Sequence, residues 1–160
     1  MKFTERQQKL IQEMHNNLNL LQKSLENLEY SYQKCESCID HESYSFEELE
    51  SLEALTVRFA RTSDILISKV VKTLLILLQE MPKTVIDTAN FLEKLGIVAE
   101  AEQLLLICEL RNTIAHDYVV ENPKELFKQV MKMVTGLKLI AGHTKDYFYL
   151  KFQEDNQKTR

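Results

Sequence analysis

The sequence predicts an all-α fold, an antiparallel bundle of four main helices with one shorter helix. Only three Gly and two Pro occur in 160 residues, a scarcity that favours long helices with few turns. Apolar residues recur three and four positions apart through most of the chain, and residues typical of helix caps precede several of these stretches. The length suits a single domain, which we place at 1–152, followed by a polar C-terminal tail at 153–160.

The first predicted helix spans about 4–38. Its apolar residues alternate three and four apart for more than three heptads. This seam consists of Ile11, Met14, Leu18, Leu21, Leu25, Leu28, Tyr32 and Cys35. We interpret it as the buried face of a bundle helix. The alternative is a coiled-coil arm that binds a partner.

The end of this helix carries two cysteines that suggest a metal or redox site. Cys35, Cys38 and His41 are close in sequence, but a structural zinc site needs four ligands, and no second Cys pair occurs. Thioredoxin-like chemistry would need a βαβ context. We therefore predict no metal site here, and a polar loop at 39–45.

The second predicted helix begins after Ser45, which with Glu48 forms a capping-box pattern, and runs to about residue 80. Its main apolar face is formed by Leu49, Leu52, Thr56, Phe59, Leu66, Val70, Leu74 and Leu77. Asp64 interrupts a second apolar line beside this face. The carboxylate either pairs with a cation across the core or lies solvated at the edge of the helix.

Two further helices follow a connection that begins at Pro82. The third is predicted at 84–95, and Gly96 supplies its C-terminal cap. The fourth is predicted at 98–116.

The fifth helix has a strong start signal. Asn122 is a typical N-cap, Pro123 suits the first helical position and Glu125 suits the third. Gly142 is a possible break, after which 147–152 would form a last apolar piece.

The composition limits the function and the location. The net charge of −4 indicates that any RNA contact is local, because general nucleic-acid binders are usually basic. The N-terminus lacks the shape of a signal peptide, and the most apolar stretch, 70–78, is too short to span a bilayer. Three cysteines without a disulfide framework favour a reducing cytoplasm.

Two neighbouring apolar lines of the fourth helix are interrupted by polar residues. One line is Leu104, Ile107, Ile114 and Tyr118, and the other is Leu105, Cys108, Ala115 and Val119. Arg111 lies on the first line and Asn112 on the second. Burying such groups is costly unless each has a partner, and such departures occur preferentially at functional sites. Arg111 and Asn112, which interrupt the two lines, are therefore candidate site residues, and Asp64 of the second helix is a supporting residue.

These residue types suit metal-independent cleavage of RNA. His116 can transfer protons near neutral pH, and Arg111 can hold a phosphate by paired charge-assisted hydrogen bonds. Asn112, four residues before His116, can reach the imidazole and set its tautomer. However, five residues correspond to about 140° of rotation, so Arg111 and His116 converge only if the helix loosens after Thr113 or if two chains combine their motifs.

Each candidate also has a purely structural explanation. Arg111 could be only the salt-bridge partner of Asp64. His116 could act as a cap at a helix C-terminus, and Tyr118 could be a core aromatic residue.

The motif resembles the signature of the HEPN family. That signature is Arg, four to six residues and His, followed in one branch by one residue and Tyr, and here it reads Arg111, His116 and Tyr118. The run at 91–97 and the Asn-Pro pair at 122–123 also follow the order of the family. The branch with the Tyr is the toxin half of HEPN/MNT (HepT/MntA) toxin–antitoxin pairs.

The resemblance covers about 45–150 and implies a homodimer with two motifs facing each other across the interface. It implies an endoribonuclease toxin that needs no metal or cofactor, in which Arg111 clamps phosphate and His116 is general acid/base. It also implies an MNT-type nucleotidyltransferase antitoxin as partner, which transfers AMP to Tyr118. The alternatives are a non-catalytic HEPN protein that presents a substrate to a nucleotidyltransferase, and a helical adaptor that uses the first helix.

Overall fold

The computed structural model describes residues 2–116 and 122–153, and all regular structure in these ranges is helical. The elements are α1 (Glu5–Glu36), α2 (Phe46–Ile65), a π-helical turn (Leu66–Val71), α3 (Lys72–Leu77), α4 (Val85–Lys94), α5 (Ala101–His116) and α6 (Pro123–Phe152). Because α2, the π turn and α3 follow one another without a break, the residues in these ranges form four long helical units and the shorter α4. The predicted all-α bundle is confirmed.

Helix α1 lies inside the bundle along its predicted seam. Thr4 caps it, accepting a hydrogen bond from the Gln7 backbone N–H at 3.2 Å while the Gln7 side chain accepts from the Thr4 N–H. Every seam residue is buried or packed against the core. The most extensive contacts of α1 are with α2, where Ser24 and Thr62 share a buried hydrogen bond of 2.6 Å. The interpretation of α1 as a bundle helix is therefore confirmed.

Helix α2 begins as predicted, at a side-chain cap. The Ser45 hydroxyl accepts from the Glu48 backbone N–H at 3.1 Å. The Glu48 carboxylate also bonds His41 Nδ1 at 2.7 Å, and this bond, together with hydrogen bonds from Ser45, lowers the pKa of Glu48. The 39–45 loop is thus tied to the first turn of α2.

The turn between α4 and α5 is longer than predicted, and the predicted start of α5 at residue 98 is wrong. Gly96 has φ +76°, a conformation that glycine adopts without steric cost, and the Ile97 N–H bonds the Leu92 carbonyl at 3.0 Å. Ile97 and Val98 are then buried as part of the turn. Helix α5 accordingly starts at Ala101, three residues later than predicted.

The prediction that Gly142 breaks the last helix is wrong. Helix α6 is continuous from Pro123 to Phe152. A glycine within a helix costs about 0.5–1 kcal/mol relative to alanine. The buried residues on either side of it, among them Ile140, Ala141 and Phe148, provide packing that outweighs this cost.

Within the described ranges, no helix combines the length and the apolar character needed to cross a bilayer.

Candidate functional site

The candidate site lies where the C-terminal end of α5 passes the edge of the core. Leu104, Ile107 and Cys108 are buried, and Ile114 still packs against the core. The second predicted line behaves differently, because Ala115, the last residue of that line among the described residues, is exposed. The last turns of α5 therefore leave the core and present polar groups to solvent.

Arg111 pairs with Asp64 of α2, as the sequence suggested. Arg111 Nη1 lies 3.7 Å from Asp64 Oδ1, and the two side chains are 19% and 63% exposed. The ion pair and the solvated carboxylate, which the sequence presents as alternatives, thus occur together. Because the pair lies at the edge of the bundle, the guanidinium can be reached from solvent.

Asn112 contacts Arg111 in this structure. Its Oδ1 accepts from Arg111 Nη2 at 3.2 Å and from Arg111 Nε at 3.4 Å. The side chain expected to orient His116 is therefore placed on the guanidinium, and these contacts, with the Asp64 pair, fix the side of α5 on which the positive charge lies.

His116 is the last residue of α5 and is exposed. The helix keeps its α form through this residue, so the separation of about 140° between Arg111 and His116 applies. Within one chain the two side chains point to different sides of α5. Tyr118, the predicted modification site, lies outside the described residues.

The site also contains a thiol. Burial raises the pKa of Cys108, and the nearby Arg111 charge lowers it by a smaller amount. Because the thiolate is the reactive form of cysteine, Cys108 is suited to packing rather than to nucleophilic chemistry.

The Cys35–Cys38 pair does not have the environment of a metal site. Both thiols are buried, and burial raises the pKa of Cys35 to about 11. His41, the third candidate ligand, is held by Glu48 at 2.7 Å. Over residues 2–116 and 122–153, no group of three or more potential ligands is placed to hold a metal ion.

Sequence reasoning missed Ser68, which donates a hydrogen bond to Asp64 Oδ1 at 3.0 Å. It also missed the π turn that begins two residues after Asp64. A signal for the turn is present in the sequence, because the apolar pair Ile65–Leu66 recurs five residues later as Val70–Val71.

The fold and the site together define a helical-bundle protein with an edge arginine–aspartate pair and an exposed histidine on the last turns of one helix. Comparison of the chain with protein-family models, with curated proteins and with solved structures finds no match.

Proposed function

We propose that this protein is a metal-independent endoribonuclease toxin of the HEPN/MNT type, acting on RNA in the cytoplasm as a homodimer. One observation carries the proposal. A guanidinium reachable from solvent is held at the bundle edge by Asp64 and Asn112, and an exposed imidazole follows on the same helix end. Where two chains bring one of each group together, the guanidinium can bind a phosphate and the imidazole can transfer protons beside it.

The partly buried position of Arg111 at the edge of the core supports a role in binding an anion. A salt bridge to a carboxylate that is 63% exposed contributes only about 1 kcal/mol or less to stability, so the ion pair alone does not explain an arginine on an apolar line. An arginine that still has free N–H donors can accept a second, bidentate anion such as a phosphodiester.

The regular geometry of α5 supports a site shared between two chains. Arg111 and His116 point to different sides of an unbroken helix. A two-fold axis beside the end of α5 would bring Arg111 of one chain towards His116 of its partner, since closed two-fold assemblies are the commonest oligomers. Each cleft would then contain one guanidinium and one imidazole.

The reaction that these groups fit is transesterification within RNA. A base removes the proton of the 2′-hydroxyl, the 2′-oxygen attacks phosphorus, and the bond from phosphorus to the 5′-oxygen breaks. The leaving oxygen takes a proton from an acid, and the products are a 2′,3′-cyclic phosphate and a free 5′-hydroxyl. His116 performs the proton transfers, and Arg111 stabilises the charge on the phosphoryl oxygens.

The proposed partner is an MNT-type nucleotidyltransferase that transfers AMP to Tyr118. In this step the phenol oxygen attacks the α-phosphorus of ATP, the bond to the β-phosphate breaks, pyrophosphate leaves and the phenol proton passes to a base. Tyr118 is two residues from His116. The added phosphate could bind Arg111 in place of the substrate phosphate, which would switch off the nuclease.

The second candidate is a non-catalytic protein that presents a substrate to a nucleotidyltransferase. It is favoured by the contact between Asn112 and Arg111. Asn112 was expected to orient His116 for proton transfer, and a protein that only binds a substrate does not require that orientation. The adaptor hypothesis is weakened, because the seam of α1 is packed within the chain.

The direct test is cleavage of RNA by the purified protein in EDTA. We expect cleavage with a cyclic phosphate or 3′-phosphate end, and we expect His116→Ala to lower the rate by roughly 10²–10⁴. The matched control is His143→Ala, an exposed histidine of α6, which should cleave normally. Wild-type protein that arrests growth on induced expression supports the toxin over the substrate-presenting protein, whereas equal cleavage by His116→Ala contradicts the catalytic assignment.

A further inference from the structure

The π turn changes which side chains of the second long helix face the core. Ile65 and Leu66 are buried, and so are Val70 and Val71 five residues later. A spacing of five matches the i→i+5 hydrogen bonds of a π turn, whereas it would rotate side chains by about 140° in an α-helix. The turn therefore lets both apolar pairs reach the core.

The same turn holds one more residue than an α-helical turn. Ile67 still packs against the core, and the outward side of the turn consists of Ser68 and Lys69, which are exposed. Ser68 bonds Asp64 at 3.0 Å, and Asp64 is the residue that pairs with Arg111. A continuous chain of polar contacts thus runs from the π turn to the guanidinium.

We propose that Ser68, presented by the π turn, is a positioning residue that acts through Asp64 to hold Arg111 at the site. Asp64 is largely exposed, and an exposed carboxylate has freedom to rotate away from a partner that is 3.7 Å distant. A hydroxyl that donates to Oδ1 restricts this rotation. That the positioned guanidinium serves RNA cleavage rests on the proposed function, whereas the positioning itself does not.

The chemistry of arginine offers a readout that is independent of RNA. Phenylglyoxal adds to accessible guanidinium groups, and a paired carboxylate slows the reaction because it stabilises the charged form of the arginine. Digestion and mass spectrometry then give the modification rate of Arg111 in the full-length protein. Arg61, an exposed arginine of α2, provides an internal reference in every sample.

We expect Ser68→Ala to raise the rate at Arg111 by roughly two- to fivefold, the range that corresponds to the loss of one exposed ionic contact. Asp64→Asn should raise it at least as far, and Ser68→Thr should restore the wild-type rate because it keeps the hydroxyl. Ser51→Ala, which removes a hydroxyl bonded to the Glu47 carbonyl elsewhere on α2, should leave Arg111 unchanged. Ser68 is exposed, so none of these effects should come from unfolding.

Two results would overturn the inference. An unchanged Arg111 rate in Ser68→Ala, beside a faster rate in Asp64→Asn, would show that Ser68 does not position the carboxylate. Equal rates in all variants would show that Asp64 does not hold Arg111 at all.

The activity of the same variants separates this inference from the proposed function. If RNA is the substrate, Ser68→Ala should lower kcat more than it raises KM. A misplaced Arg111 guanidinium loses more of its interaction with the transition state than of its interaction with the bound substrate. If wild-type protein leaves RNA intact while Ser68→Ala still raises the phenylglyoxal rate at Arg111, the proposed function is refuted and the positioning role of Ser68 is retained.

Discussion

The Arg111 guanidinium of α5 lies 3.7 Å from the Asp64 carboxylate of α2, and the carboxylate is 63% exposed. The pair connects two helices at the edge of the core, where water screens its charges. It therefore adds little to stability, while it fixes the direction in which the guanidinium points.

The first prediction concerns the stability that this pair provides. Asp64→Asn should lower the free energy of unfolding by less than about 1 kcal/mol, the usual limit for a solvated ion pair. Urea unfolding measures it, and Glu29→Gln, which weakens the partly exposed pair with Lys138, should have an effect of similar size. A loss above about 3 kcal/mol would instead indicate a pair buried in the native protein.

The second prediction compares two glycines in different backbone conformations. Gly96→Ala should destabilise by about 1–2 kcal/mol because φ is +76°. Gly142→Ala should stabilise by about 0.5–1 kcal/mol, since the residue is helical and a Cβ there meets nothing within 4 Å. Thermal unfolding should show shifts of opposite sign, and shifts of the same sign would contradict one of the two conformations.

The third prediction is a pH dependence that arises from Cys35. Burial, aided by the nearby Cys38, raises the pKa of the thiol from its ordinary value of 9.0 to about 11. Because the folded pKa is the higher one, the native state favours the neutral thiol. The stability that the folded protein gains from the neutral Cys35 thiol is complete below the pKa of the unfolded state. It is lost as the pH rises from about 9 to about 11.

Comparison with Cys35→Ala isolates this contribution, because the other titrating groups are common to both proteins. Under reducing conditions, the advantage of wild type in free energy of unfolding should shrink as the pH rises from about 9 to about 11. A constant difference would show that the thiol is not desolvated.

The fourth prediction concerns Tyr118 and the proposed partner. Co-expression with a cognate nucleotidyltransferase should increase the intact mass by one or more AMP units. The increase should be absent in Tyr118→Phe, and the toxicity of that variant should persist. If the mass of the wild-type protein does not shift although the partner enzyme is active, AMP transfer is contradicted. The partner would then neutralise the toxin by binding alone.

The helices could be predicted because their signals are local. The seam of α1 and the caps at Ser45 and Asn122 depend on residues a few positions apart, so the pattern specifies them. The predicted break at Gly142 was wrong because the low helix propensity of glycine is outweighed by the packing of Ile140, Ala141 and Phe148. Tertiary contacts of this kind are not visible in a local pattern.

The candidate site could be predicted only in part. The pairing of Arg111 with Asp64 was accessible, because two opposite charges interrupt two apolar lines. The direction of Asn112 was not, because a side chain on a helix surface has several partners within reach. Ser68 lies four residues after Asp64, a spacing at which side chains on a helix meet, so its contact was accessible to sequence reasoning, whereas the π turn departs from the regular helical period.

The central claim is that Arg111 of one chain and His116 of its partner form one site on RNA. The most direct measurement is RNA cleavage in EDTA by Arg111→Ala and His116→Ala, each alone and after the two are unfolded and refolded together. Each variant alone should be inactive, whereas a mixed dimer retains one cleft with both groups and should recover activity. Light scattering should show a dimer in every sample. A mixture as inactive as its components, beside an active wild-type dimer, would contradict the shared site.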